Sequence, residues 1–288
     1  MGDNEGAGSV TVHRLEAGVE AGVDVGAEND VVAIEEPLEL RLGFAGDDGK
    51  RHQQSISITM RTPGNDLELA AGFLFTEGIV ASTNDIDSLE HCGPPVPPRG
   101  LQNVVRIELK DGVDLDLKKL ERHFYTTSSC GVCGKTSLDA LEVQRRVTVP
   151  TDDFRIARER LFTLPDTLTN AQRLFGMTGG IHASASFDAD GKLDVIREDV
   201  GRHNALDKVI GALLLDHRLP AIDRGIVVSG RASFELLQKT MMAGCPMLAA
   251  VGAPSSLAIG LAERFDMTLA GFVRDGRANV YANPRRVA

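Results

Sequence analysis

Cysteine is scarce in this chain, with four residues among 288. So few thiols in a chain of this length argue against the disulfide framework of a small secreted protein and favour a reducing compartment. No segment approaches the roughly 18 consecutive apolar residues of a membrane-spanning helix, and the N-terminus lacks the basic start and apolar core of a secretory signal. We therefore expect a cytoplasmic protein that does not associate with a membrane.

An excess of basic residues is also missing, because the net charge is −10. Nonspecific nucleic-acid binding needs a basic face, so we expect no nucleic-acid partner. Seven acidic residues and a single arginine fall within residues 1–30. This segment is rich in glycine and alanine and shows no sustained periodicity, which predicts a disordered acidic tail. A hydrophobic content of 42% predicts a sizeable core for the remainder.

Residues 31–125 carry the patterns of a small α/β unit. Alternation of apolar and polar residues predicts strands, and apolar residues at helical spacing predict helices. The predicted elements are strands at 38–42, 55–60 and 104–109, and helices at 67–80, with Asp66 as its cap, and at 115–124. His91 and Cys92 are predicted to open a rigid, proline-rich loop.

Residues 126–288 have a different rhythm, in which short apolar strands alternate with helices. The predicted strands are 225–229, 247–251 and 267–273, and the predicted helices are 233–243 and 255–265, the second capped by Ser255. A turn is predicted at Asp275 and Gly276. Continuous apolar strands are typical of a sheet covered on both faces. The fold class is therefore α/β, with a layered sheet in this half.

Two cysteines lie three positions apart in the sequence Ser-Ser-Cys-Gly-Val-Cys-Gly-Lys, at Cys130 and Cys133. The flanking glycines allow a mobile turn. A helix N-terminus and Lys135 would lower the pKa of a thiol there and favour the reactive thiolate. The pair can carry sulfur, form a reversible disulfide or supply half of a metal site.

Structural zinc is the main alternative for this pair. Zinc takes four ligands, usually from two paired motifs, and the chain has no second Cys-x-x-Cys. His91 and Cys92 are adjacent, which is an awkward arrangement for two ligands, and Cys245 is interpreted as a buried apolar residue. We therefore predict no intrinsic metal.

Residues 198–208 are dense in ionisable groups. Asn204 is predicted to cap a helix that runs to about residue 215. Two interpretations stay open for the charged residues that precede it. In the first, these charged residues satisfy the helix end and one another. In the second, His203 transfers protons beside the thiols.

Two further segments suggest a phosphate site. Ser229 and Arg231 follow a buried strand and open a helix, where open α/β sheets bind ligands. Arg274 and Arg277 are placed to clamp a phosphate, and Phe272 to stack on a base. The alternatives are a plain strand-to-helix turn and a solvated hairpin tip.

Taken together, four motifs resemble the FdhD family of formate dehydrogenase accessory proteins over residues 30–285. They are Thr62–Asp66 leading into Gly72–Phe73 and Glu77–Ile79, then Cys130–Gly134, then Glu198–His203 through Leu206–Lys208, and finally Ser229–Ser233 through the hairpin that ends at Arg277.

The resemblance implies two parts, an N-terminal α+β roll at 31–125 and a three-layer α/β domain of cytidine-deaminase-like fold at 126–288, assembled as a homodimer. The disordered acidic tail predicted at 1–30 lies outside the resemblance. The last part would carry the cysteine loop and the nucleotide site.

The implied activity is that of a sulfurtransferase. A cysteine desulfurase would load sulfur as a persulfide on Cys130, with Cys133 in a secondary role. The sulfur would pass to a bound substrate, the molybdenum bis(molybdopterin guanine dinucleotide) cofactor, before that cofactor enters formate dehydrogenase. The resemblance assigns the guanine dinucleotide to Phe272, Val273, Arg274, Asp275, Gly276 and Arg277.

Two other functions compete with this one. A zinc-dependent nucleoside deaminase needs a His-x-Glu or Cys-x-Glu motif and Pro-Cys-x-x-Cys, whereas Ser129 occupies the proline position here. A noncatalytic chaperone would bind the cofactor and use its cysteines only structurally.

Overall fold

A computed structural model describes residues 6–15, 26–46, 48–113, 115 and 154–288. Within these residues the chain is a mixed α/β protein, as predicted. Cys130, Cys133, most of the predicted helix 115–124 and the predicted boundary between residues 125 and 126 lie outside the described residues.

The N-terminal part is a four-stranded sheet with one helix packed on it. The strand order is β4-β3-β6-β5, in which β3 and β6 run parallel and the other pairs antiparallel. The elements are β3 (Glu36–Ala45), β4 (Arg51–Arg61), α1 (Asp66–Thr76), β5 (Ile86–Cys92) and β6 (Val104–Leu109). The three strands predicted from alternation are confirmed, and β5 is additional.

Two local predictions in this part are wrong. Asn65, with φ 58°, precedes the first turn of α1, and the carboxylate of Asp66 instead accepts hydrogen bonds from Arg61 at 2.9 and 3.0 Å. Asp66 does not cap the helix because both of its carboxylate oxygens accept hydrogen bonds from this buried guanidinium. His91 and Cys92 are the last residues of β5, paired with β6, and the proline-rich loop begins after them.

The C-terminal part is a six-stranded sheet of order β12-β11-β10-β9-β7-β8. Strands β9, β10 and β11 are parallel, whereas β7, β8 and β12 extend the sheet antiparallel. The strands are β7 (His182–Phe187), β8 (Leu193–Asp199), β9 (Gly225–Val228), β10 (Met247–Ala250), β11 (Thr268–Arg274) and β12 (Arg277–Ala282). The helices are α2 (Arg158–Ala171), α3 (Arg173–Thr178), α4 (Arg202–Leu215), α5 (Phe234–Met242) and α6 (Ser256–Arg264).

Helices cover this sheet on both faces. Ile226 and Val228 of β9 pack in a core with α4, α5 and α6, while Val227 packs on the opposite face with α2. The sequence predicted this layering, the strands β9 to β11, and the Ser255 cap, whose Oγ accepts from Ala258 N at 3.2 Å. The finer description as a cytidine-deaminase-like fold stays a prediction. No helix among the described residues is long and apolar enough to cross a bilayer.

The prediction of disorder is wrong for part of residues 1–30. Strands β1 (Ala7–His13) and β2 (Ala27–Ala33) form an antiparallel hairpin in full register. Gly6 anchors it, since Ile34 N donates to Gly6 O at 2.8 Å and Leu174 packs against the glycine. Most of the hairpin's side chains are exposed, so its sequence lacks the strong alternation of a half-buried strand.

The N-terminal and C-terminal sheets share one core because α1 crosses α4 at backbone contact. A Cβ atom on Gly72 would lie 1.9 Å from Asp207 O, and one on Gly211 would lie 1.8 Å from Glu68 O. Side chains on either glycine would therefore force the helices apart. Beside the crossing, Lys239 of α5 donates to Thr76 Oγ1 at 2.8 Å and to Asp207 at 2.9 and 3.0 Å.

We expect Gly72→Ala to lower the free energy of unfolding by about 1–3 kcal/mol, because the added methyl group meets the backbone of α4. Gly260→Ala is the matched control: Gly260 also lies within a helix, and its Cβ would meet nothing within 4 Å. Alanine there should be neutral or stabilise by up to about 1 kcal/mol. Urea unfolding monitored by circular dichroism measures both. Equal shifts in the two variants would contradict the crossing.

Candidate functional site

The segments that follow three parallel strands meet at one end of the C-terminal sheet. Gly252, after β10, donates from its N to Gly230 O at 3.0 Å, and Phe272 N donates to Gly252 O at 3.1 Å. Gly252 also lies close to Arg231, since a Cβ on the glycine would sit 3.1 Å from Arg231 Cα. These contacts tie the segments after β9 and β10 to β11, at the edge where open α/β sheets bind ligands.

A cavity of about 640 Å³ opens at this edge, and we call it the sheet-end cavity. Its strand side is formed by His182, Val200, Ser229, Val251 and Arg274. Two residues predicted from separate motifs, Ser229 and Arg274, therefore line the same cavity. The volume lies within the range of small-molecule sites.

Helices α2 and α3 form the other side of the sheet-end cavity. The polar residues on this side are Asp166, Thr169 and Gln172, and the apolar ones include Leu168 and Phe175. None of these residues was predicted from the sequence as a site residue, and neither was His182. They belong to elements that it did not predict, and no motif marks them.

The predicted hairpin turn is confirmed at Asp275 and Gly276, whose φ values are 53° and 69°. Arg274 and Arg277 pair across it and are both exposed. Phe272 is half-buried with its ring centroid 5.7 Å from the guanidinium carbon of Arg274. Of the two arginines, Arg274 lines the sheet-end cavity, and Arg277 lies opposite it across the turn.

The other predicted cofactor-binding residues, Val273, Arg231 and Ser229, differ in burial and in hydrogen bonding. The side chain of Val273 is fully buried in the core, so only its backbone is available to a ligand. Arg231 is exposed. Ser229 Oγ accepts a hydrogen bond from Ala183 N at 2.9 Å, which leaves its hydroxyl proton free to donate.

Glu198 and Asp199 support the structural interpretation of the charged segment. Glu198 accepts from Leu174 N and Phe175 N at 3.0 and 2.9 Å and thereby caps α3. Asp199 is fully buried, 2.7 Å from Lys208 Nζ, and also accepts from Thr62 N. Both carboxylates are occupied in holding neighbouring elements together.

The prediction that Asn204 caps α4 is wrong. The helix begins at Arg202, with Gly201 as its cap residue. Asn204 Nδ2 instead donates to Met60 O at 2.8 Å and to Asp199 Oδ1 at 3.1 Å. A bridge to β4 and the neighbouring carboxylate therefore replaces the predicted cap, although the end near residue 215 is confirmed.

His203 lies in the first turn of α4, outside the wall of the sheet-end cavity. Its Nε2 is 3.4 Å from Ser233 Oγ and 4.0 Å from Glu235 Oε2. Burial, together with the charges of Lys239 and Arg202, lowers the pKa of His203 to about 4. The imidazole is neutral at physiological pH. Whether it acts on the thiols stays a prediction, because Cys130 lies outside the described residues.

We expect His203 to make stability depend on pH. Its pKa is about 4 in the folded state and near 6.5 when unfolded. Because the unfolded chain binds the extra proton between these values, His203 lowers stability as the pH falls from about 6.5 towards 4. The free energy of unfolding in urea, measured from pH 7.5 to 4.5, should fall less steeply for His203→Gln than for the original chain. Parallel curves would contradict the low pKa.

Burial is also the main cause that lowers the pKa of His182, with a smaller contribution from Arg202. The Nε of Arg202 is buried and has no hydrogen-bond partner in the described part of the chain. No cluster of three or more His, Cys, Asp or Glu residues suited to a metal occurs among the described residues. The cysteine pair is not covered by that statement, so the absence of an intrinsic metal stays a prediction.

The fold and the sheet-end cavity thus define a mixed α/β protein with a ligand cavity at the edge of its parallel strands. The chain belongs to the FdhD/NarQ family, whose sequence profile matches residues 34–288.

Similar proteins support this assignment along nearly the whole chain. The sulfur carrier protein FdhD of Streptomyces avermitilis is 48% identical over 98% of this chain and 97% of its own length. That of Mycolicibacterium paratuberculosis is 46% identical over 96% of this chain and 99% of its own. A crystal structure from Desulfotalea psychrophila, of a protein assigned as a formate dehydrogenase accessory protein, matches with a TM-score of 0.71 at 24% identity, covering 98% of this chain and all of that one. At this identity the structural match shows the fold alone.

Proposed function

We propose that this chain is a sulfur carrier that serves the maturation of formate dehydrogenase. The observation that carries the proposal is its family membership, with relatives named sulfur carrier proteins at 46–48% identity. The cysteine pair at Cys130 and Cys133 supplies the chemistry that such a role needs. Cys245 is unsuited to it, since complete burial raises the pKa of its thiol to about 12.

The reaction at Cys130 is a transfer between persulfides. The Cys130 thiolate attacks the outer sulfur of a persulfide on a cysteine desulfurase, a new S–S bond forms, and the donor's S–S bond breaks. The donor cysteine leaves as a thiolate, so no external oxidant is needed. In the delivery step the acceptor forms its bond to the outer sulfur with its own electron pair, the S–S bond breaks, and the pair from that bond stays on Cys130 as the thiolate. Cys133 has the secondary role.

The acceptor substrate in this proposal is the molybdenum bis(molybdopterin guanine dinucleotide) cofactor. The exposed guanidinium groups of Arg274 and Arg277 suit its diphosphate, because arginine forms forked hydrogen bonds with phosphate oxygens. The sheet-end cavity beside Arg274 suits the rest of a nucleotide. The proposal also includes assembly as a homodimer in the cytoplasm, a cysteine desulfurase as the donor of the sulfur, and formate dehydrogenase as the recipient of the cofactor.

Sulfur loading provides the test. After incubation with cysteine and a cysteine desulfurase, intact mass spectrometry should show one added sulfur atom that a reductant removes. Cys130→Ala should abolish this addition, because the carrying thiol is gone. Cys92→Ala is the matched control and should load normally, since Cys92 ends β5 in the N-terminal sheet.

Equal loading of Cys130→Ala and the original chain would refute the assignment of the carrier. The same samples separate the alternatives. Stoichiometric zinc would favour the deaminase, and cofactor binding without any sulfur loading would favour the noncatalytic chaperone.

A further inference from the structure

Helix α3 and the hairpin of β1 and β2 together expose a group of apolar side chains. Val10, Val32, Phe175 and Met177 are each between 37% and 44% exposed, and α3 lies against both strands of the hairpin. Single exposed apolar residues are ordinary on a protein surface, whereas contiguous ones mark surfaces that bind partners. We call these four residues the apolar ledge.

The strand register places the hairpin's part of the apolar ledge on one face. Val10 pairs directly with Asp30, and Val32 lies two positions further along β2, so these three side chains point to the same side of the hairpin. Gly6 continues this face, and a Cβ atom there would lie 2.8 Å from Leu174 of α3. The face that carries the two valines is therefore the one turned towards α3.

Helix α3 carries the apolar ledge on to the sheet-end cavity. Met177 follows Leu174 by three positions, close to one helical turn, so both side chains lie on the same side of α3. Phe175 lines the sheet-end cavity and is also exposed to solvent. The apolar ledge thus extends from the hairpin to the rim of this cavity.

The described part of the chain supports the hairpin mainly at its base. Gly6 lies against Leu174 and Gly8 against Arg99, whereas the side chains of residues 9–11 and 28–30 are exposed. A two-stranded hairpin is marginally stable in water unless it packs on another surface. A hairpin that projects from the fold with apolar side chains on one face is therefore suited to contact a partner.

The charges beside the apolar ledge define the chemistry of that partner. Asp30 lies on the same face as Val10 and has no ion-pair partner in the described part of the chain, where its carboxylate accepts only from the neighbouring backbone. Glu28 lies next on this face, 3.7 Å from Arg14, and both side chains are more than half exposed. An apolar surface with basic residues at its edge complements this arrangement.

We propose that the apolar ledge and Asp30 bind the recipient enzyme, cofactor-free formate dehydrogenase, through an apolar surface that lysine or arginine residues surround. The inference rests on the proposed function and adds the surface on which the recipient docks. A cofactor held at the sheet-end cavity has to leave through its rim, and Phe175 belongs both to the cavity wall and to the apolar ledge. A protein bound on the ledge therefore lies beside the opening through which the cofactor passes.

Titration calorimetry of the full chain with cofactor-free formate dehydrogenase tests this surface. Met177→Lys should weaken the affinity by about tenfold or more, because a basic partner then meets a positive charge in place of an apolar contact. Leu257→Lys is the matched control and should leave the affinity unchanged, since Leu257 is 53% exposed on α6, across the C-terminal sheet from α2. Asp30→Asn should weaken binding about threefold at low salt and have no effect at about 1 M salt, where charges are screened.

Three binding results would overturn the inference: no binding to the original chain, unchanged affinity in Met177→Lys, or equal losses in Met177→Lys and Leu257→Lys. Light scattering supplies a fourth, because an original chain that is dimeric and a Met177→Lys variant that is monomeric would make the apolar ledge a contact between copies. Thermal melting checks that both lysine variants fold, as replacement of exposed side chains should allow.

Sulfur loading of Cys130, measured on the same samples, separates this inference from the proposed function. We expect Met177→Lys to load as the original chain does while it binds the recipient more weakly. Normal loading with recipient affinity unchanged in Met177→Lys refutes the docking surface alone. Recipient binding that Met177→Lys weakens, without any loading of the original chain, refutes the sulfur carrier alone.

Discussion

The contact between α1 and α4 is the constraint on which the two sheets depend. Gly72 and Gly211 allow the two backbones to touch, and no other residue type fits at either position without moving a helix. The same crossing buries Asp207, whose carboxylate accepts hydrogen bonds from the Lys239 ammonium and the Thr76 hydroxyl. Close packing and the buried ion pair therefore act together, because separation of α1 from α4 would break the bond between Thr76 and Asp207 and expose the ion pair of Asp207 and Lys239 to water.

The charged side chains at the start of α4 support the sheet-end cavity, and of this segment it is the uncharged Val200 that lines it. Asp199 is joined to Lys208, and both bond to the backbone of Thr62 in the connection between β4 and α1. His203 lies beside the same network and stays neutral, because burial and nearby cations both disfavour its protonation. These ionisable residues thus mainly hold neighbouring elements together, and the polar side chains that line the sheet-end cavity belong to other segments.

Sequence patterns correctly predicted the elements whose formation depends mainly on residues close together in sequence. Strands β9 to β11 and the Ser255 cap followed from apolar runs and a hydroxyl before a helix. The predicted caps at Asp66 and Asn204 are wrong because other partners bind their side chains. Asp66 accepts from Arg61 of the preceding strand, and Asn204 donates to Met60 O, which is distant from it in sequence. Asp166, Thr169 and Gln172 carried no signal in the sequence, since only their three-dimensional placement brings them to the wall of the sheet-end cavity. The hairpin of β1 and β2 was also missed, because its pairing joins segments that are not adjacent in sequence.

Glu198 shapes the sheet-end cavity although it is not part of the cavity wall. Its carboxylate holds the first turn of α3, and α3 places Phe175 in the wall of the sheet-end cavity. Substitutions at Glu198 would reshape the cavity without altering any residue that faces it. Because the donors at 174 and 175 are backbone amides, which every residue except proline carries, the shape of the cavity depends at this point on the carboxylate of residue 198 and not on the identity of its partners.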